Sequence, residues 1–181
     1  MVRPEDLSTR PAAQPPSVAT LLFTDLAGST SMFDRLGDTG ARSLLRTHDA
    51  IVREGIVRRG GTEVKYTGDG FLVSFASAAN AVECAIDLQR VLAAHNQRHP
   101  GRAIRVRMGL NAGEPIAEEG DLFGATVNAA ARICARAKPG QILVAEVVRQ
   151  LCTGKDVEFV DRGRVALRGL SARYRLFEVP W

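Results

Sequence analysis

The spacing of apolar positions changes several times along the chain, and each change marks an element. Residues 18–24 form a short apolar run with β character that stops at Asp25, as a buried strand would. Gly28-Ser29-Thr30 follows, then Met32, Phe33 and Leu36 at helical spacing, with Ser29 or Thr30 as the expected cap. A second helix is predicted over residues 39–57, with Leu44, Leu45, His48, Ile51 and Val52 on one face and Arg59-Gly60-Gly61 as its stop. Residues 63–67 and 71–75 read as strands, and Gly68-Asp69-Gly70 between them signals a tight hairpin. Residues 78–96 repeat Ala81, Val82, Ala85, Leu88 and Leu92 as a helical core stripe. Residues 104–111 alternate as a strand. Residues 125–137 form a small-residue helix stopped by Lys138-Pro139-Gly140. A short strand (142–144), a short helix (146–152) and two closing strands (157–167 and 174–179) complete the chain. This order predicts an α+β fold with a largely antiparallel sheet covered by helices.

Composition narrows the class. At 181 residues and 45% hydrophobic content the chain suits one domain with one core. Residues 1–17 are Pro-rich and polar. They are expected to form a flexible N-terminal segment ahead of a domain spanning 18–181, and they do not have the character of a signal peptide. No apolar run approaches the ~20 residues of a membrane span. The net charge is +4, carried mainly by arginine. Most of these arginines read as solvated surface, and the sharper alternative is an anionic ligand such as a polyphosphate. Nucleic acid is disfavoured, because the charge is spread along the chain without an aromatic-basic motif. Cys84, Cys134 and Cys152 are odd in number and lack a C-x-x-C pair, so they read as core thiols of a reduced, cytoplasmic protein. His48, His95 and His99 lack metal-binding spacing, and His48 belongs to a core or interface stripe.

Two carboxylates stand out. Asp25 ends a strand just before a Gly-Ser-Thr helix start. There a carboxylate can hold Mg²⁺ while the N–H groups of Ala27, Gly28, Ser29 and Thr30 face phosphate oxygens. Asp69 sits at a hairpin tip, also at a strand end. Two aspartates so placed could hold two ions ~3.5–4 Å apart, the spacing for in-line displacement at phosphorus. Each alone is better explained as a cap or a turn residue. Asn128 and Arg132 lie four apart, on one helical face. Such a pair often faces solvent, but the run of small residues from Gly124 to Ala131 suits close approach.

In combination these segments resemble class III adenylyl and guanylyl cyclases. Phe23-Thr24-Asp25-Leu26-Ala27-Gly28-Ser29-Thr30 resembles that family's first metal motif, and Lys65-Tyr66-Thr67-Gly68-Asp69-Gly70 its hairpin motif. Arg107-Met108-Gly109-Leu110-Asn111-Ala112-Gly113 resembles the following strand. Residues 121–132 carry the family's D-x-x-G-x-x-V-N-x-A-x-R segment. The resemblance implies a ferredoxin-like class III cyclase fold and the conversion of ATP to 3′,5′-cyclic AMP and pyrophosphate. It implies two divalent ions, Mg²⁺ or Mn²⁺, on Asp25, Asp69 and the Leu26 carbonyl. It implies purine reading by Lys65 and Asp121, with Leu122 beside them. Asn128 and Arg132 match the transition-state pair, while Arg107 and Arg168 match basic residues near the phosphates. Arg168 stands where many relatives carry lysine, so it keeps the charge but not the geometry. The resemblance also implies a homodimer with shared active sites. A guanylyl cyclase and a non-catalytic nucleotide-binding regulatory domain of the same fold are the alternatives.

The base edges discriminate between the first two. Adenine offers N1 as acceptor and its 6-amino group as donor, matching a lysine and an aspartate. Guanine reverses both, which leaves polar groups unpaired in the site, and such a mismatch can cost ~10⁴-fold. Guanylyl cyclases of the family typically carry Glu at the Lys65 position, so Lys65 with Asp121 favours ATP.

Overall fold

The computed structural model of the protein describes residues 18–181, so the reading of residues 1–17 as a flexible segment lies outside the described residues. The elements run β1 (Ala19–Leu26), α1 (Ser29–Arg58), β2 (Thr62–Tyr66), β3 (Gly70–Phe75) and α2 (Ala78–Arg98). After a short 3₁₀ turn come β4 (Val106–Gly113), β5 (Ile116–Glu118), β6 (Asp121–Phe123) and α3 (Ala125–Arg136). The chain closes with β7 (Ile142–Ala145), α4 (Glu146–Leu151), β8 (Val160–Ala166) and β9 (Arg173–Glu178).

Seven strands form one sheet in the order β2-β3-β1-β4-β7-β9-β8, and β5 and β6 form a separate ribbon. Every pairing in the main sheet is antiparallel except β4 with β7, which α3 joins as a crossover. The sheet is therefore mixed, and the expected α+β architecture is observed.

The alternation along β1 sorts the layers. Leu22 and Leu26 face α1 and α2 and join the main core with Leu44, Val52, Leu88 and Leu92. Ala19 and Leu21 face the other way, against Leu122 of the ribbon and Val127 and Ala130 of α3. The odd positions of β1 thus point to the α3 side, and Asp25 is one of them.

Two helices were expected where α1 runs, and the backbone agrees. Gly37 breaks the helix with φ 66° and ψ 171°, outside helical space. The expected cap is a correction. Gly28, in the left-handed region at φ 74°, holds the cap position with no side-chain cap bond, and the Ser29 hydroxyl instead donates to Asp69 Oδ2 at 2.8 Å. The ribbon carries no periodic signal in the sequence. Its strands are three residues long, joined through Glu119 and Gly120 at φ 50° and 81°. Helix α3 lies unusually close to β4. A Cβ at Gly109 would stand 2.1 Å from the Cys134 backbone nitrogen, so glycine is what admits the helix at that point.

Candidate active site

The sheet brings Asp25 and Asp69 together. Asp25 stands opposite Gly70 on β3 and opposite Arg107 on β4. One residue further on, the Leu26 amide donates to the Asp69 carbonyl at 2.9 Å, which ties the hairpin tip to the end of β1. A Cβ at Gly70 would lie 2.1 Å from the Thr24 carbonyl oxygen, so the second glycine of Gly-Asp-Gly permits this approach. Each carboxylate has one oxygen engaged. Arg107 Nε donates to Asp25 Oδ2 at 2.5 Å, and Ser29 Oγ holds Asp69 Oδ2. Arg107 also donates through Nη1 to the Ala135 carbonyl at 3.2 Å, near the C-terminal end of α3.

This is a hard-oxygen donor set at the edge of solvent. Among the described residues no group of three or more His, Cys, Asp or Glu side chains could hold a metal. Magnesium commonly takes one or two carboxylates and fills its remaining positions with phosphate and water, so two aspartates fit a nucleotide-bound ion. The start of α1 adds N–H groups at Gly28, Ser29 and Thr30 that lack intrahelical partners by position. The Ala27 amide differs from expectation. It donates to the Arg105 carbonyl at 2.8 Å and is occupied in extending the β1–β4 pairing.

The hairpin is braced from the α1 side by residues that no sequence motif marks. Arg53 donates to both carboxylate oxygens of Glu63 and lies over the rings of Tyr66 and Phe71 at 5.3 and 5.0 Å. The Tyr66 hydroxyl donates to the Gly68 carbonyl at 2.6 Å. Burial, followed by the neighbouring Asp49, pushes that hydroxyl up to about 12, so it remains a donor. His48 is fully buried against Phe71, and its Nδ1 lies 2.9 Å from Asp49 Oδ1. Burial holds its pKa below 6.5 against the opposing pull of Asp49. It is a core residue, one of the two roles expected for it. The helical spacing 49, 53 is the only sequence signal for this brace, because Glu63 and Tyr66 are three apart and depend on the register shift between Glu63 and Lys65.

Lys65 and Asp121 also meet. Lys65 Nζ lies 2.5 Å from Asp121 Oδ2, although 55 residues of chain separate them in sequence. The Lys65 hydrogen bond, with help from the Leu122 amide, holds the Asp121 carboxyl below the usual carboxylate range. Leu122 is buried against Leu21 and Leu72 and anchors Asp121 on the sheet's α3 side.

Asn128, Arg132 and Arg168 do not join Asp25. Helix α3 runs antiparallel to β4. Gly113 packs on Thr126, Gly109 on Cys134, and Arg107 bonds to Ala135. Asn128 therefore lies ~10 Å back along the helix axis from the Asp25 end. Both Asn128 and Arg132 are exposed, on the side of α3 facing away from the sheet. Arg168 is exposed in the turn after β8, where the Leu170 amide bonds to the Leu167 carbonyl. Following the strand directions from β8 through β9, β7 and β4 to β1, that turn lies at the sheet end opposite Asp25. The two ends of β1 are separated by ~20 Å. One chain therefore gathers Asp25, Asp69 and Arg107 at one end of the sheet and Lys65 with Asp121 beside the ribbon, while Asn128 and Arg132 stand exposed on α3 and Arg168 lies at the opposite sheet end.

The fold has counterparts in known proteins. Residues 12–178 match the family model of the adenylate and guanylate cyclase catalytic domain. The chain is 41% identical over 149 residues to putative adenylate cyclase 3 of Rhizobium meliloti (strain 1021), covering 81% of this chain and 25% of that protein. The chain thus spans about a quarter of that relative's length. Among solved structures, an adenylate/guanylate cyclase/hydrolase from Silicibacter pomeroyi aligns with TM-score 0.79 and 30% identity, covering 90% of this chain and 95% of that one. The adenylyl cyclase CyaB from P. aeruginosa shares the fold, with TM-score 0.81 at 22% identity over 91% of this chain and 94% of that one. The chain belongs to the class III adenylate and guanylate cyclase catalytic domain family.

Proposed function

We propose that this domain is an adenylyl cyclase, converting ATP to 3′,5′-cyclic AMP and pyrophosphate at two equivalent sites of a homodimer. The observation that carries the choice of base is the Lys65–Asp121 contact at 2.5 Å. It sets a donor beside an acceptor, which suits adenine with Lys65 on N1 and Asp121 on the 6-amino group.

Asp25, Asp69 and the Leu26 carbonyl are the residues that would hold two divalent ions, Mg²⁺ or Mn²⁺. Bound there, such ions supply Lewis-acid activation of the ribose 3′-hydroxyl and charge neutralisation on the departing pyrophosphate. The chain's own groups do the rest. The amides at Gly28, Ser29 and Thr30 receive phosphate oxygens. Arg107 and Arg168 add positive charge beside the triphosphate. Arg132 meets charge that develops on the α-phosphate, and Asn128 orients the ribose. The 3′-oxygen gives its proton to solvent water and bonds to the α-phosphorus, while the bond from that phosphorus to the bridging oxygen breaks and releases pyrophosphate.

The shared site is supported by the separation of Asn128 and Arg132 from Asp25. A two-fold pair sets one chain's α3 face against the partner's Asp25 end, twice. A non-catalytic role is disfavoured, because both metal aspartates, both base-reading residues and both transition-state residues are present. Location in the cytoplasm is consistent with three unpaired, buried cysteines. Among the described residues no helix is long and apolar enough to cross a membrane. Incubation with ATP or GTP plus Mg²⁺ or Mn²⁺, followed by chromatography, tests the reading. Cyclic AMP is expected in excess over cyclic GMP, and equal turnover of GTP would overturn the base assignment.

A further inference from the structure

Ser29 uses its side chain in an uncommon way. A serine at the start of a helix usually turns its oxygen onto the nearby backbone as a cap. Here Gly28 holds the cap position without any side-chain bond, and the next serine, Ser31, donates to the Gly28 carbonyl at 3.0 Å. The Ser29 hydroxyl instead reaches a residue 40 positions away and donates to Asp69 Oδ2 at 2.8 Å. That bond is not what holds the hairpin tip. The Leu26 amide donates to the Asp69 carbonyl at 2.9 Å, the Thr67 amide donates to the Gly70 carbonyl at 2.9 Å, and the Tyr66 hydroxyl donates to the Gly68 carbonyl at 2.6 Å. With the backbone fixed by these contacts, the remaining freedom of Asp69 is in its side chain, and Ser29 is what restrains it.

The two aspartates are held by different chemistry. Asp25 is paired with the Arg107 guanidinium, which carries a full positive charge. Asp69, half-buried at the hairpin tip, has no ion-pair partner among the described residues. A neutral hydroxyl fixes a carboxylate without cancelling its charge, and a hydrogen bond to an ionised acceptor is roughly twice as strong as one between neutral groups. The bond takes Oδ2 and leaves Oδ1 for another partner. Ser29 also belongs to the first turn of α1, where its amide lacks an intrahelical partner by position. One residue therefore joins the helix end that faces phosphate in the proposed reaction to the second aspartate.

We propose that the Ser29 hydroxyl is a positioning group, which pins Asp69 so that Oδ1 meets a divalent ion with the carboxylate's negative charge intact. The proposal rests on the reading of Asp69 as a metal ligand. A carboxylate already held in one rotamer loses little freedom when the ion binds, whereas a free one pays that entropy at the moment of binding. The hydroxyl therefore acts on metal affinity, through Asp69, and the Ser29 amide acts separately on phosphate.

The test follows the melting temperature of the full chain as Mn²⁺ is added, with 3′-deoxy-ATP, which lacks the attacking hydroxyl, held constant. Mn²⁺ should raise the melting temperature of the wild type, as any ligand of the folded state does. Ser29→Ala should need about tenfold more Mn²⁺ for the same rise, in keeping with the loss of a hydrogen bond to a charged group. Ser29→Thr keeps the hydroxyl and should follow the wild type, while Ser29→Val, of nearly the same shape as threonine, should follow alanine. The Thr and Val variants carry the test if the alanine protein does not fold. In turnover the loss should appear in the Mn²⁺ concentration for half-maximal cyclic AMP formation more than in KM for ATP. Equal Mn²⁺ dependence in Ser29→Ala and wild type, or in the Thr and Val variants, overturns the positioning role and leaves Asp69 as a metal ligand. A raised KM for ATP with an unchanged Mn²⁺ requirement also overturns it and assigns the hydroxyl to phosphate. A wild-type protein that Mn²⁺ does not stabilise overturns the metal reading of Asp69 and the proposal with it.

Discussion

Replacing Gly109 with alanine should displace the helix that carries the proposed transition-state residues. An added Cβ would stand 2.1 Å from the Cys134 nitrogen and 2.5 Å from its Cα, where ordinary contact begins at 3.4 Å. Both obstacles are backbone, so no rotamer change relieves them, and α3 has to retreat by about 1 Å. Overpacking of this kind costs ~1–3 kcal/mol, which for a domain of this size corresponds to a fall of roughly 2–12 °C in melting temperature. The catalytic effect should be larger than the loss of stability suggests. A misplacement near 1 Å can cost ~10²-fold in rate, and Asn128 and Arg132 ride on the displaced helix. Circular dichroism melting and cyclic AMP formation at saturating ATP, both below the melting transition, separate the two effects. Gly101→Ala is the control, because its Cβ would meet nothing within 4 Å. A Gly109→Ala protein that melts with wild type and keeps its kcat would refute the close-packing argument and the placement of Asn128 and Arg132 in the reaction.

Further outcomes follow from the same geometry. Lys65→Glu with Asp121→Gly should lower kcat/KM for ATP and permit some GTP turnover; an unchanged ATP-over-GTP ratio would remove this pair from base selection. His48 is held below its ordinary pKa of 6.5 by burial, so the unfolded chain binds its proton more readily. Its contribution to stability is present above pH 6.5 and declines as pH falls toward the lower folded value. Melting temperature should therefore drop on acidification through that window, and His48→Gln should flatten the slope; an equal slope in both proteins contradicts the buried neutral imidazole. Burial pushes the Cys84 and Cys134 thiols up to about 12, so a thiol reagent at pH 8 should label the native protein slowly and the unfolded protein fully.

The legible parts of the fold were those in which sequence pattern and turn chemistry agreed. Residues 18–24 and 71–75 have strand composition and Gly68-Asp69-Gly70 signals a tight turn, so β1 and β3 followed, while the joint role of Asp25 and Asp69 came from the family resemblance. Leu36-Gly37 separated two helical periods, and the backbone breaks there at φ 66°. The β5–β6 ribbon was not legible, because three-residue strands complete barely one alternation and Glu119 adopts a left-handed conformation unusual for its type. The brace behind the hairpin was hidden for a different reason. Arg53 finds Glu63, Tyr66 and Phe71 only after α1 packs on the β2–β3 hairpin, and such partners have no fixed spacing in sequence. Ser29 read as a cap because Ser before a helical run usually is one; folding instead placed an unsatisfied Asp69 oxygen within its reach. The pairing of Lys65 with Asp121 came from family resemblance, and no local pattern links positions so far apart.

The central claim is that one catalytic site draws on two chains, and mixing two dead variants tests it most directly. Asp25→Ala and Arg132→Ala should each be inactive alone. After co-expression or co-refolding, a mixed dimer holds one site with both defects and one site with neither. Random exchange makes half the dimers mixed, so cyclic AMP formation should return to about a quarter of the wild-type rate. If each chain built its own complete site, every site in the mixture would carry one lethal change. No recovery, with mixed dimers demonstrated by differential tagging, would contradict the shared site and return Asp25 and Arg132 to a single chain.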